Sequence, residues 1–79
     1  MLFEHYDTGN SYEIPKELYD YDLFSIEDNV LVLCTGEREA FDNRENAEAA
    51  LCFIDEAIRW GGTSLFVEEN PYLSYGVCR

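Results

Sequence analysis

Apolar and polar positions along this chain follow two different rhythms. From Asp42 to Gly62, DNRENAEAALCFIDEAIRWGG, the apolar residues recur at helical spacing. On a wheel of about 100° per residue, Ala47, Ala50, Leu51, Ile54, Ala57 and Ile58 form one apolar face, flanked by Phe53 and Trp60. Glu45, Glu48, Cys52, Asp55, Glu56 and Arg59 form the opposite face. The pattern predicts a helix over about 43–60. Asp42 is the expected cap, with Glu45 three residues on completing a capping box, and Asn43 is the rival cap. Gly61 and Gly62 end the helix, because glycine adopts the left-handed conformation of a helix end at little cost. One side of this helix must rest on apolar support. The other side shows four carboxylates and one guanidinium to water.

Elsewhere the chain reads as short strands. Residues 2–6 (LFEHY) and 11–14 (SYEI) are joined by the turn cluster Asp7-Thr8-Gly9-Asn10, an expected N-terminal hairpin. Pro15 suits the first position of a helical turn, PKELY. Residues 23–27 (LFSIE) and 30–35 (VLVLCT) are the clearest strand pair. Asp28-Asn29 serves as their two-residue turn, since both types tolerate positive φ. VLVLC is apolar on both faces, so a central strand is expected, covered on both sides or set against a partner. Thr35-Gly36-Glu37 turns the chain again, and EREAFD at 37–42 reads as an exposed strand with Glu37 and Glu39 on the face of Phe41. TSLFVEE at 63–69 is a further strand, broken by Asn70-Pro71, and YLSYGVCR at 72–79 a last short one. The expected architecture is α+β: one domain, 1–79, with an antiparallel sheet of four to six strands and one main helix packed on one face.

Composition sharpens this picture. The apolar fraction is 47%, with Trp 1, Tyr 6 and Phe 5, which is enough for a folded core. A chain of this size buries roughly 60% of its unfolded surface, so the core is small. The net charge is −12. Such a charge strains the compact state by self-repulsion, and it turns the molecule away from nucleic acid and anionic membranes toward cationic grooves. Met1-Leu2-Phe3 is followed at once by Glu4, His5, Tyr6 and Asp7, which is no signal peptide, and no run is apolar enough to span a membrane. Cys34, Cys52 and Cys78 are odd in number and lack CxxC spacing, which argues against a disulfide framework or a zinc site, and a reducing cytoplasm fits best. Cys34 belongs to an apolar strand and is expected in the core. Cys52 sits amid acids, as a tolerated surface residue or a contact position.

Reactive constellations are not apparent. There is no G-x-S-x-G, P-loop, G-x-G-x-x-G or calcium-loop pattern. His5 is the only histidine and is read as structural or exposed rather than catalytic. Glu45 and Glu48 share a helical face, but without a Glu-x-x-His pair they do not make a carboxylate metal centre. Neither catalytic nor cofactor- or metal-binding residues are assigned, and no cofactor is expected. Lys16, Arg38, Arg44, Arg59 and Arg79 are dispersed, so direct binding to nucleic acid is not expected.

What stands out is an acidic surface interleaved with aromatics. Tyr19, Asp20, Tyr21 and Asp22 alternate tyrosine, which gives large contact area, with carboxylates that pair with arginine. On a structural reading the same tyrosines simply cover a sheet edge or the helix. Glu27 and Asp28, Glu37 and Glu39, then Glu45, Glu48, Asp55 and Glu56 extend the candidate partner-binding set. A compact fold covered with acids can occupy a groove built for DNA, which carries one charge per about 1.7 Å of duplex.

In size, acidity, unpaired cysteines and a strand-rich chain with one helix ending at Trp60-Gly61-Gly62, the sequence resembles the small phage-encoded anti-CRISPR proteins that act on type I (Cascade) effectors, type I-C among them. That resemblance implies a CRISPR effector as partner, in the cytoplasm of the host, and blocking of target-DNA recruitment as the mode of inhibition. It carries over no catalytic residues. Two alternatives remain: an immunity- or antitoxin-type inhibitor whose acidic helix caps a basic nuclease, and a non-enzymatic adaptor that forms a homodimer through VLVLC or a sheet edge.

Overall fold

The computed structural model describes residues 1–18, 20–69 and 74–78. Seven strands and one long helix follow in the order β1 (Leu2–His5), β2 (Asn10–Glu13), β3 (Ser25–Glu27), β4 (Val30–Val32), β5 (Arg38–Ala40), α1 (Arg44–Arg59), β6 (Ser64–Glu68) and β7 (Ser74–Cys78). Short 3-10 turns at Lys16–Leu18 and Tyr21–Leu23 link β2 to β3. The fold is α+β. The strands divide between two small sheets: a four-stranded one in the order β2-β1-β6-β7 and a three-stranded one in the order β3-β4-β5. All neighbours are antiparallel except β1 and β6, which run parallel with Phe3 opposite Leu65 and His5 opposite Val67. The sequence pattern predicted a single antiparallel sheet. Strand existence is a local property, but the choice of partner strand is set by contacts far apart in the chain.

The helix lies against β4, β6 and β3, so it closes the space between the two sheets. Ala47, Ala50, Leu51, Ile54 and Ala57 are buried, as the wheel requires, and the alanines let the helix axis approach the sheets closely. They meet Phe3, Leu65 and Val67 from the larger sheet and Leu31 and Leu33 from the smaller, with Phe24, Phe41 and Ile14 filling the margins. β4 is central in its sheet. Leu31 and Leu33 face inward, while Val30 and Val32 are half-buried on the outer side, beside the ion pair of Arg38 with Glu27. Cys34 is half-buried against the core and Cys52 is exposed. Burial pushes the Cys34 thiol above its ordinary value.

Both helix ends are closed by side-chain or backbone partners. The N-cap is Asn43, whose side-chain oxygen accepts the Asn46 amide at 2.8 Å. Asp42, the expected cap, is instead held by its own amide, which donates to Glu69 Oε1 at 2.9 Å. At the far end Gly61 takes φ +68°, its amide reaching Ile58 O, and the Gly62 amide reaches Ala57 O, a pair of bonds that satisfies two carbonyls of the last turn. The Asp28-Asn29 turn forms as expected, with Asp28 at φ +54°. Among the described residues no helix is long and apolar enough to cross a membrane.

Candidate functional site

The acidic residues separate into an outer set and an inner set. Asp20, Asp22, Glu27, Asp28, Glu37, Glu45, Glu48 and Glu56 are exposed, and Asp55 is half-buried. Tyr19 and the side chain of Tyr21 lie outside the described residues. The helix carries Glu45, Glu48, Asp55 and Glu56 on one stripe, because their wheel positions fall within about 100° of one another. Arg44 pairs with Glu48 at 2.9 Å, and the charge of Asp28 reaches the same guanidinium, which places the β3–β4 turn beside the start of the helix. Arg59 pairs with Asp55 at 3.2 Å near the other end, where Trp60 is 60% exposed over a shallow cleft lined also by Glu56. Asp20 caps a turn through the Asp22 amide, and Glu37 accepts from Thr35 at the β4–β5 turn, away from the β3–β4 turn that holds Asp28. Asp28 and the helix stripe stand together. Asp20, Asp22 and Glu37 belong to other turns.

Glu39 is a correction. It was expected on the exposed acidic surface and is 3% exposed. It does share a face with Phe41, but that face points inward. Its Oε2 accepts from Thr8 Oγ1 at 2.9 Å and faces His5 Nδ1 at 2.9 Å, and its Oε1 accepts from Asn10 Nδ2 at 3.0 Å and Tyr12 OH at 3.1 Å. Burial works against its charge, yet the hydrogen bonds from Asn10, His5 and Thr8 together outweigh it and hold the carboxyl below its ordinary value. Burial, and then the nearby Glu39 charge, push the Tyr12 hydroxyl up, so it remains a donor.

His5 is the centre of this inner set. It is 1% exposed and stacks on Phe41 with ring centroids 4.3 Å apart. On its other side Nε2 lies 2.7 Å from Glu69 Oε2 and 3.8 Å from Asp7 Oδ2. Glu69 is 6% exposed, and its second oxygen accepts the Asp42 amide and Asn46 Nδ2, both at 2.9 Å. A neutral imidazole carries one N–H, whereas here each ring nitrogen meets a carboxylate oxygen. Two protons must therefore be shared among Glu39, His5 and Glu69. The network joins β1, β5, the end of β6 and the start of α1, and among the described residues no buried side-chain N or O atom lacks a partner.

The sequence held a signal for this network that the search for motifs passed over. In each of three strands a polar residue occupies the apolar phase of the alternation: His5 follows Phe3 by two, Glu39 precedes Phe41 by two, and Glu69 follows Leu65 and Val67. Sealed as it is, the imidazole is not placed to meet a substrate. His5, Asp7 and Glu69 together are the one group of side chains, among those described, that could hold a metal ion. Comparison with known protein families, curated proteins and solved structures finds no match.

Proposed function

We propose that the protein is a non-enzymatic inhibitor that binds the cationic, DNA-recruiting surface of a nucleic-acid-binding complex through its outer helix stripe. Following the resemblance to anti-CRISPR proteins, the partner is a type I Cascade effector and the effect is loss of target-DNA recruitment. The observation that carries this reading is the partition of charge. Of 17 acidic side chains only Glu39 and Glu69 are buried among the described residues, so the rest face outward, and the sequence holds only five cationic residues. Three of those cations already pair with Glu27, Glu48 and Asp55.

Magnitudes refine the mode. From Glu45 to Glu56 the helix rises about 16 Å, and its four carboxylates are separated by a mean of roughly 5.5 Å along the axis. One DNA strand carries a charge per about 3.4 Å and the duplex one per about 1.7 Å. The stripe is sparser in charge than a single strand and far sparser than a duplex. It supports occupation of a cationic groove with steering from the whole acidic surface, rather than a phosphate-by-phosphate copy of duplex DNA. Exposed Trp60 adds an aromatic anchor at one end.

The test is a DNA-recruitment assay on a purified type I effector. Added protein should reduce target-DNA binding, with an affinity that falls steeply as salt rises. Unchanged DNA binding at saturating protein would reject the reading. Tight binding to a free nuclease instead would favour the immunity-type alternative. The half-buried outer side chains of Val30 and Val32 are the observation favouring a dimerising adaptor, for which salt-insensitive self-association is the signature.

A further inference from the structure

We propose that His5, Asp7 and Glu69 form a binding site for one divalent transition-metal ion, with zinc as the probe. His5 Nε2, Asp7 Oδ2 and Glu69 Oε2 lie within 4.8 Å of one another. Tetrahedral zinc, with bonds of about 2.0–2.2 Å, places neighbouring donor atoms roughly 3.4 Å apart. The Nε2 to Glu69 spacing of 2.7 Å has to open, and the Nε2 to Asp7 spacing of 3.8 Å has to close, each by less than about 1 Å. Asp7 supplies the freedom. It stands at the start of the exposed turn between β1 and β2, with its side chain 32% exposed, which also gives the ion a way in.

The surroundings match what such an ion needs. A metal-binding imidazole is normally oriented by a carboxylate on its other nitrogen, and Glu39 already holds His5 Nδ1. Glu69 is fixed through its other oxygen by the Asp42 amide and Asn46, which leaves Oε2 for the ion. The Glu69 amide donates to Asp7 Oδ2 at 2.7 Å and aims that carboxylate at the imidazole. The ion takes the place of the proton between His5 and Glu69, so the cluster becomes one negative charge lighter in a chain with net charge −12. Three protein ligands and a water complete four-coordination. One imidazole with two carboxylates suits zinc better than calcium or magnesium, which take oxygen alone.

Titration calorimetry of the full chain, stripped with chelator and then given Zn²⁺ alone, should show one ion per chain and a raised Tm. Asp7→Asn keeps an oxygen for the Glu69 amide and loses the anionic ligand. It should keep the metal-free Tm and bind Zn²⁺ at least about tenfold more weakly. Cys52→Ser and Glu48→Gln should bind like the parent chain. In nitrogen-detected NMR, Zn²⁺ should move the Nε2 resonance of His5. The proposal is overturned by absence of stoichiometric binding, by equal affinity in Asp7→Asn, by affinity lost in Cys52→Ser or Glu48→Gln, or by a His5 ring that zinc leaves unmoved.

Discussion

The carboxylates of Glu39 and Glu69 and those of Glu45, Glu48, Asp55 and Glu56 are the same chemical group in two settings. The inner pair is sealed around His5, each oxygen assigned to a donor, and it joins two sheets to the start of the helix. The outer four lie at the surface, Asp55 half-buried and the others exposed, two of them in i,i+4 pairs with arginine. Inside, a carboxylate without its partner would be a buried uncompensated charge, so each contact is strongly coupled to folding. Outside, solvent screens the same group, and its removal barely touches stability. Carboxylates in this protein thus divide into those that specify the fold and those that remain available to another molecule.

The comparison breaks first at the imidazole. His5→Ala leaves two carboxylates buried with no shared proton, and we expect a loss of about 3–5 kcal/mol in chemical denaturation. A loss below about 1 kcal/mol would mean that the inner set carries no more than a surface pair. The next effect is on pH. The Glu39 carboxyl is held below its ordinary value in the folded state, so its contribution is fully present above the ordinary carboxylate range and lost as pH falls through the lower folded value. Parent and Glu39→Gln, both measured with chelator, should therefore differ most above that range and converge in acid. A difference that grows on acidification would reverse the sign and the argument with it.

A smaller effect separates the two candidate caps. Asn43→Ala should cost about 1 kcal/mol, because the Asn46 amide loses its acceptor. Asp42→Ala should cost less, since the contact it makes with Glu69 uses its backbone. Equal losses in thermal unfolding would contradict the assignment. Smallest of all, Glu48→Gln should change stability by a few tenths of a kcal/mol through its pair with Arg44.

The helix was legible because both its period and its stop signals are local: Ile54 and Leu51 mark the face, Gly61 and Gly62 the end. So was the Asp28-Asn29 turn, since two residues between two apolar runs leave little choice. The cap shifted by one residue because Glu69, 27 positions away, holds the Asp42 amide, and no local rule contains that contact. The parallel pairing of β1 with β6 joins segments some sixty residues apart, beyond what alternation can announce. Glu39 was misjudged, and Glu69 passed over, in a more instructive way. Residue type suggested surface, strand phase pointed to the core, and phase was the better guide because a carboxylate can be buried wherever donors converge on it. Of the candidate contact set, the helix stripe was readable from the wheel. That Asp28 stands beside the start of the helix stripe required the tertiary structure.

The central claim is that the outer stripe, not the inner cluster, meets the partner. The most direct measurement is the effect of Glu48→Lys with Asp55→Lys on inhibition of target-DNA recruitment by a type I effector, alongside the circular dichroism and Tm of the variant. The account predicts a fold close to the parent with association slowed at least about tenfold at low salt. Full inhibition by the double variant, at the parent's rate, would contradict it.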